Sequence, residues 1–353
     1  MNIFTEPVLT VAVPTFNMEW CLSKNLRTYQ DQRLFYRLEV LCVNNASEDS
    51  SKEIIASFCR ETPEIYHMID RKTDDYGAAI NDAISCARGK YFRIVDADDW
   101  VNTEELVKLV NTLEKGEADV VLTDYQIVSM KDQSAKTVRA KDRGADYGRV
   151  CTTFEWPIQT LPSTHTTTYR LRLLHENHFY VQTGLFFVDE EYAILPYLYA
   201  QSIIYYPYDI YRYQVANPNQ STSTINRARY YKHREKVLRR LINDFYAAER
   251  DGAETHRLDY CYRRIALGVA DHFTTLYLYI EDRRKGRGLA TEWKNFLQID
   301  APEFWSFARR KDHILFALNL LHIPLAAYEK LKRKFLPEWI YRILYKDSSI
   351  LGN

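Results

Sequence analysis

The chain has 353 residues, 46% of them hydrophobic and 27% charged, and its formal net charge is zero. This length can bury a sizeable core, and the balance excludes an intrinsically disordered chain. The six cysteines lack CxxC spacing, so neither a zinc knuckle nor a disulfide framework is predicted. No signal-peptide pattern and no apolar run of ~18 residues is present, so we expect a cytoplasmic protein.

Short apolar runs and helical segments alternate through the first 123 residues. The predicted strands are 8–13, 38–43, 65–69, 91–95 and 119–123, and the predicted helices are 18–29, 48–60, 78–87 and 104–115. Asn17 and Ser47 are the expected caps of the first two helices. Strict alternation with short connections predicts an α/β fold with a mostly parallel sheet and helices on both faces. Ligands bind such sheets beyond the carboxyl ends of the strands.

The pattern changes after residue 123. Residues 131–148 are polar and predict a loop, and mixed strands and loops continue to about residue 223. Predicted helices follow at 229–249, 257–281 and 311–334, the last broken near Pro324. Gly286 and Gly288 are expected to mark a turn.

We therefore predict an α/β domain over residues 1–224, with parts 1–123 and 124–224, and an α-helical C-terminal region over 225–353. The charge follows the same division. Residues 225–353 hold 25 Lys and Arg against 16 Asp and Glu, a balance of +9, which leaves −9 for residues 1–224. A basic helical part suggests an anionic contact, although a solvated helical surface is the simpler explanation. The acidic first part argues against nucleic acid as a partner.

An acidic turn, Asp96-Ala97-Asp98-Asp99, follows the strand predicted at 91–95. Three carboxylates at the end of an apolar strand repel one another unless a cation or protons intervene. Such oxygen ligands suit Mg²⁺ or Mn²⁺, which also bind substrate phosphates. Because Asp is common in turns and caps, the turn alone is better explained by capping. The segments that accompany this turn favour a cation site over capping.

Four ordered segments resemble a known family. They are VAVPTFN at 11–17, VLCVNNASED at 40–49, YGAAINDA through GKY at 76–91, and VDADDW at 95–100. They are similar, in this order, to the PxYN, VDDGSxD, GxxxxxNxGIxxAxGKY and DxDD blocks of the family 2 glycosyltransferases with a GT-A fold. The resemblance is close over residues 8–102 and looser to about residue 221.

The resemblance implies a site for a nucleotide-sugar donor, with a UDP-sugar as the first choice. The implied donor-binding residues are Pro14, Thr15, Asn17, Glu19, Asn44, Asn45, Gly77, Asn81, Asp96, Asp98, Gln220 and Ser221. Asn44 or Asn45 would face the base, and Gly77 would allow close approach of the sugar-nucleotide. Asp96 would contact the ribose side, and Asp98 would bind Mn²⁺ or Mg²⁺ on the diphosphate.

The resemblance also places a catalytic base in the segment GLFFVDEEY at 184–192. Asp189 matches best and would accept the proton of the acceptor hydroxyl. A cap of a helix that starts near Tyr192 is the alternative for Asp189. Glu191 and His165 are the candidate acceptor contacts, although a lone His is more often structural.

Two departures from the family pattern remove groups that could face phosphate. Asn217 stands where many relatives carry an Arg in a GREGQS block. Asp74-Asp75-Tyr76 stands where relatives tend to carry Gly-Gly-His. The diphosphate contacts are therefore expected to differ from those of the family.

The implied activity is an inverting transfer of a sugar to a hydroxyl of a glycan or lipid-linked acceptor, in polysaccharide or cell-surface glycan synthesis. Two alternatives stay open: a catalytically silent nucleotide-sugar-binding module, and a sugar-1-phosphate nucleotidyltransferase. The latter would need a Gly-rich basic loop after the first strand, and residues 14–17 are not one. No GxGxxG after a strand, GK[ST], GxSxG or HExxH motif supports another chemistry.

The C-terminal helices offer a second kind of partner. An apolar stretch at 314–328 precedes a basic cluster at 330–334. This arrangement suits peripheral contact with an anionic membrane at its cytoplasmic face, or self-association. An ordinary core helix with a solvated end explains it equally well.

Overall fold

The computed structural model describes residues 6–130, 132, 134–139, 146–151, 163–215, 224–323 and 327–328. The chain divides into two compact units. The first comprises Met1–Pro218 with Ala253–Arg257, and the second comprises Asn219–Gly252 with Leu258–Asn353. The functional division predicted at residue 224 stays a prediction.

The first unit is built on one mixed sheet. Its strands are β1 (Leu9–Thr15), β2 (Leu38–Asn45), β3 (Tyr66–Arg71), β4 (Tyr91–Ile94), β5 (Trp100–Val101), β6 (Val120–Ser129), β7 (Ala135–Val138), β8 (Val150–Cys151), β9 (Thr167–Arg170) and β10 (Ile203–Val215). They lie in the order β3-β2-β1-β4-β9-β6-β10-β5, with β7 beside β6 and β8 beside β10. The pairs among β1 to β4 are parallel, as is β6 with β10, whereas β9 is antiparallel to both its neighbours.

Helices follow the strands. Those before residue 200 are α1 (Leu22–Arg27), α2 (Ser51–Glu61), α3 (Tyr76–Cys86), α4 (Thr103–Lys115), α5 (Leu171–Glu176) and α6 (Asp189–Ile194). All residues of β1 and β2 are buried, as expected for strands covered on both faces. The predicted α/β fold with a mostly parallel sheet is confirmed, and so is the helical C-terminal region.

The C-terminal helices are α7 (Thr224–Arg229), α8 (Tyr231–Arg250), α9 (Thr255–Thr274), α10 (Arg283–Asp300) and α11 (Pro302–Leu320), with a π-helical turn at Thr275–Tyr279. The turn predicted at Gly286 and Gly288 is wrong, because both lie inside α10. A Cβ on Gly286 would stand 2.4 Å from the carbonyl oxygen of Leu276, so this glycine permits close backbone packing. None of the helices in the described part of the chain is both long and apolar enough to cross a bilayer.

Two predicted helix caps are also wrong. The helix predicted from residue 18 begins at Leu22, and Asn17 instead adopts a left-handed φ of 53° before it. The helix predicted from residue 48 begins at Ser51, and Ser50 rather than Ser47 is the residue at its N-cap. Asn17 and Ser47 hydrogen-bond each other's loops, which is a long-range contact that helix periodicity does not reveal.

Candidate active site

The loops that follow β1 and β2 are joined by reciprocal hydrogen bonds. The Asn17 N–H donates to Ser47 Oγ (3.1 Å), and Asn17 Oδ1 accepts from the Glu48 N–H (2.8 Å). Pro14 and Thr15 lie buried at the end of β1. The loops are thereby fixed at the carboxyl edge of the sheet, where the donor site was predicted.

Glu19 makes a second pair of bonds between the same loops. Its N–H donates to Asp49 Oδ2 (2.9 Å), and its Oε2 accepts from the Ser50 N–H (3.0 Å). Glu19 thus has a bracing role in addition to the donor contact that was predicted for it. Whether it also contacts a donor stays a prediction.

The amides of Asn44 and Asn45 are buried at the end of β2, each 2% exposed. Asn44 Nδ2 donates to Asp70 Oδ1 (2.7 Å), and Asn45 Oδ1 accepts from Arg71 Nε (3.0 Å). Asn45 Nδ2 also reaches Asp74 Oδ1 at 3.4 Å. Both side chains therefore organise this edge, and the predicted contact of one of them with the base stays a prediction.

Arg71 was not among the residues predicted from the sequence. It ends β3, hydrogen-bonds Asn45, and forms an ion pair with Asp82 of α3. Its side chain is 15% exposed. All three guanidinium nitrogens are engaged by protein groups: Nε with Asn45, Nη1 with Asp82, and Nη2 with Thr73 Oγ1 at 3.4 Å. The rule that ligands bind at the carboxyl ends of parallel strands could have identified this position from the sequence.

Gly77 and Asn81 of α3 face a protein segment rather than open space. A Cβ on Gly77 would stand 2.0 Å from the carbonyl oxygen of Gln182. Asn81 Nδ2 donates to the Val181 carbonyl (2.8 Å), and its Oδ1 accepts from the Val181 N–H (2.9 Å). Whether these two residues also contact a donor stays a prediction. Sequence spacing placed them at this edge of the sheet but could not show that they pack against residues 181 and 182.

Two of the three carboxylates in the acidic turn are held by tyrosines. Tyr76 Oη donates to Asp96 Oδ1 (2.8 Å), and Tyr211 Oη donates to Asp99 Oδ2 (2.6 Å). The Gln214 N–H adds a bond of 2.7 Å to Asp99 Oδ1. Asp99 is 2% exposed, so its role is to anchor the turn.

Asp98 differs from its two neighbours. It is half-buried, and within the described part of the chain its carboxylate accepts only from its own backbone N–H. Burial raises the pKa of Asp98. Burial and then the charge of Asp98 raise the pKa of Asp96 to about 6. Burial and both neighbouring charges raise the pKa of Asp99 well above its usual range.

This donor set fits a divalent cation. A cation would offset the burial that raises these pKa values and the repulsion that adds to it at Asp96 and Asp99, and oxygen ligands suit Mg²⁺ and Mn²⁺. Asp98, the carboxylate without a tyrosine partner, was the predicted ligand. A deeper group also exists, since one ligand atom each from Asp96, Asp99 and His165 lie within 4.8 Å of one another.

His165 lies in an aromatic cluster below the turn. Its ring stacks on Tyr213 with centroids 4.2 Å apart, and it also contacts Tyr211 at 4.8 Å and Tyr125 at 5.8 Å. Burial and then the charge of Arg93 lower the pKa of His165 to about 3, so its imidazole is neutral. The buried aromatic environment of His165 is as consistent with a structural or metal-binding role as with the predicted acceptor contact.

Arg93 of β4 is a buried cation beneath the acidic turn, in a strand that was predicted from its apolar character. It is 0% exposed, and burial lowers its pKa to about 10. Its Nη1 donates to Thr123 Oγ1 (3.2 Å) and Thr168 Oγ1 (3.1 Å), and its Nη2 donates to the His165 carbonyl. The guanidinium therefore ties β4, β6 and β9 together under the site.

Asp189 is the first residue of α6 and is exposed. Val188 occupies the N-cap, and no side chain caps this helix, so the capping role considered for Asp189 is not what the structure shows. Burial, then the charges of Asp96 and Asp189, raise the pKa of Tyr76. Asp189 thus lies within electrostatic reach of the acidic turn.

Glu191 is fully buried in α6. Its Oε2 accepts from the Gln182 N–H (2.7 Å), so Glu191 holds the loop that precedes α6. Whether Glu191 also contacts an acceptor stays a prediction. Gln220 and Ser221, with Asn217, lie outside the described residues.

Comparison with known proteins agrees with this geometry. Residues 10–188 match the family model described as glycosyl transferase family 2. The chain belongs to this family.

Two curated members of similar sequence are bacterial. A poly(ribitol-phosphate) beta-glucosyltransferase of Bacillus spizizenii is 29% identical over 117 residues, which is 32% of this chain and 18% of that protein. The glycosyltransferase GlyG of Streptococcus pneumoniae is 29% identical over 123 residues, which is 33% of this chain and 39% of that protein. The similarity thus spans less than half the length of either relative.

Solved structures extend the likeness to the whole fold. Residues 1–349 of Staphylococcus aureus TarS, crystallised with UDP, superpose with a TM-score of 0.62 at 18% identity, over 92% of this chain and 91% of that chain. The TarS 1–349 complex with UDP-GlcNAc gives a TM-score of 0.57 at 18% identity, over 92% of each chain. At this identity the likeness shows the GT-A fold.

Removal of the Tyr211 hydroxyl should destabilise this family member. Tyr211→Phe leaves the buried Asp99 carboxylate without its shortest hydrogen bond, which should lower the free energy of unfolding by about 1–3 kcal/mol. Denaturant unfolding measures the change. Tyr36→Phe is the matched control because Tyr36 is 65% exposed, and it should change the value by less than about 0.5 kcal/mol. Equal stability of the two variants would contradict an anchoring role for Tyr211.

Proposed function

We propose that this chain transfers a sugar from a nucleotide diphosphate sugar, with UDP as the nucleotide, to a hydroxyl of a glycan or lipid-linked acceptor. The observation that carries the proposal is the state of the acidic turn: tyrosines hold Asp96 and Asp99, while Asp98 keeps its carboxylate for a ligand. The similar TarS structures are complexes with UDP and UDP-GlcNAc, and one similar curated protein is a poly(ribitol-phosphate) beta-glucosyltransferase.

The proposed chemistry divides the work among the site's residues. Asp98 would hold Mn²⁺ or Mg²⁺, which when bound neutralises charge on the leaving diphosphate. Asp189, exposed at the start of α6, would accept the proton of the acceptor hydroxyl as the new glycosidic bond forms. Attack opposite the leaving group inverts the anomeric centre, as in an inverting hydrolase with a sugar hydroxyl in place of water.

Two of the residues that depart from the family pattern at 74–76 contact both sides of the site. Tyr76 holds Asp96, and Asp75 accepts from both the Ala78 and Gly184 N–H groups. These residues therefore help to assemble the site. The family match leaves the nucleotidyltransferase alternative without support.

A donor screen tests the proposal. UDP- and GDP-sugars are incubated with the chain and Mn²⁺ or Mg²⁺, and release of the free nucleotide is measured. We expect metal-dependent release of UDP from at least one UDP-sugar, and loss of that release in EDTA. Absence of nucleotide release from every sugar, with either metal and with glycan and lipid-linked acceptor mixtures present, would contradict a transferase.

Cytoplasmic location and peripheral membrane contact belong to the same proposal. Phe307, Ile314 and Leu321 recur every seven residues and are 41%, 46% and 69% exposed, along and just after α11. The basic cluster at 330–334 lies outside the described residues. Co-sedimentation of the full chain with anionic vesicles, but not neutral ones, would support membrane contact. Concentration-dependent dimerisation without vesicle binding would favour self-association instead.

A further inference from the structure

The segment Val181–Val188 leads into α6, whose first residue is Asp189. Two of its residues, Gly184 (φ 70°) and Phe187 (φ 71°), adopt left-handed backbone conformations. Such a conformation is unfavourable for Phe187 because it has a side chain, so neighbouring contacts must hold the segment in this shape. The segment forms no strand or helix before α6. Its contacts with α3 and α6 therefore decide where Asp189 stands.

Helix α3 and its N-cap residue contact this segment at several points. Asn81 binds both backbone polar groups of Val181, at 2.8 and 2.9 Å. Asp75 Oδ2 accepts from the Gly184 N–H at 2.8 Å, while its Oδ1 caps α3 at the Ala78 N–H (3.1 Å). Gly77 leaves the space in which the Gln182 carbonyl sits, 2.0 Å from where a Cβ would be.

The same helix turn is also joined to the acidic turn. Tyr76, between Asp75 and Gly77, donates to Asp96 Oδ1 at 2.8 Å. The start of α3 thus contacts Asp96 of the acidic turn through Tyr76 and the base-carrying segment through the N-cap residue Asp75. Because a helix turn is rigid, these contacts fix the two sides relative to each other.

We propose that Asp75, Gly77 and Asn81 are positioning residues that set the location of Asp189 relative to the acidic turn. This inference rests on the proposed transferase function. It predicts that loosening the segment lowers the rate of transfer while leaving nucleotide binding intact, because a small misplacement of a reacting group is costly to the rate. The proposed action runs through the backbone of Val181–Gly184, which all three residues contact.

Asp75→Asn is the sharpest test. Asn caps a helix as well as Asp does, so α3 keeps its start. However, with Oδ1 committed to the Ala78 N–H, the Asn Nδ2 group would present a donor to the Gly184 N–H, and that bond is lost. Hydrogen exchange of peptides covering residues 178–188 should become about tenfold faster, and the kcat for UDP release should fall about tenfold. The affinity for UDP with Mn²⁺ and the KM for the donor should stay within about twofold.

Gly77→Ala provides a second, independent displacement of the segment and should have the same pattern of effects. The control is Asp282→Asn, which makes the same exchange at the N-cap of α10, where Asp282 accepts from the Arg284 and Lys285 N–H groups. It should leave the exchange of residues 178–188 and the kcat unchanged.

The outcomes separate this inference from the proposed function. Unchanged exchange in both Asp75→Asn and Gly77→Ala would overturn the inference, as would a faster exchange with a normal kcat. A fall in UDP affinity equal to the fall in kcat would also overturn it, because the residues would then serve donor binding. If the unaltered chain released no UDP from any sugar, the transferase proposal would fail, while the exchange rates would still decide whether α3 holds the segment.

Discussion

Replacement of Asp98 by alanine is expected to abolish the metal dependence of UDP binding and to weaken that binding about 100-fold or more, the scale of losing one partner of a close charge pair. The physical reason is the position of Asp98 among three carboxylates with raised pKa values. Tyrosine hydroxyls donate hydrogen bonds to Asp96 and Asp99, whereas the Asp98 carboxylate has no tyrosine donor among the described residues and can bind a cation. Calorimetry with UDP in Mn²⁺ and in EDTA measures both effects.

Asp300→Ala is the matched control for this variant. Asp300 is exposed at the end of α10, so its loss should leave UDP affinity and its metal dependence unchanged. Unchanged UDP affinity of Asp98→Ala, with and without Mn²⁺, would show that Asp98 is not the ligand. If His165→Ala rather than Asp98→Ala lost metal-dependent UDP binding, the cation site would be assigned to the group of Asp96, Asp99 and His165.

The fold of the first 123 residues follows from their sequence because their pattern is local. The five strands predicted in the first 123 residues all exist, with ends that differ from the predictions by six residues at most. Parallel strands of this kind place their following loops at one edge, so Asn17, Asn44 and Asp96 were expected near one another. The antiparallel β9 and the long β10 carry weaker periodicity, and they were predicted only as mixed strands and loops.

The interior of the site could not be derived in the same way. Tyr211 and Asp99 are 112 residues apart in sequence, and only the paired strands bring them together. Arg93 lies in a strand that was predicted from its apolar neighbours. Strand periodicity predicts burial, but it does not identify the hydrogen-bond partners of a buried cation. Gly77 and Asn81 show the complementary limit: a motif can place a residue at the site edge without revealing which protein segment it packs against.

Replacement of Asp189 by asparagine is expected to lower sugar transfer about 100-fold or more, because the variant cannot accept the acceptor proton. UDP affinity in Mn²⁺ should not change, because Asp189 lies on α6 rather than in the acidic turn. Steady-state UDP release gives kcat and KM, and calorimetry gives the affinity. Glu190→Gln is the control: it removes a carboxylate from the next residue of the same helix turn and should retain turnover within about twofold.

The Asp189 exchange also tests the alternative that this residue only stabilises its helix. A negative charge in the first turn of a helix contributes about 0.3–1 kcal/mol, so Asp189→Asn should lower stability by no more than that. A purely structural role would therefore give a slight loss of stability and normal turnover. A general base gives the opposite pattern, with a large loss of kcat at nearly unchanged stability and UDP affinity. Because Glu190→Gln loses the same helix-dipole interaction, a fall in kcat confined to Asp189→Asn would not come from that interaction and would support the general-base role.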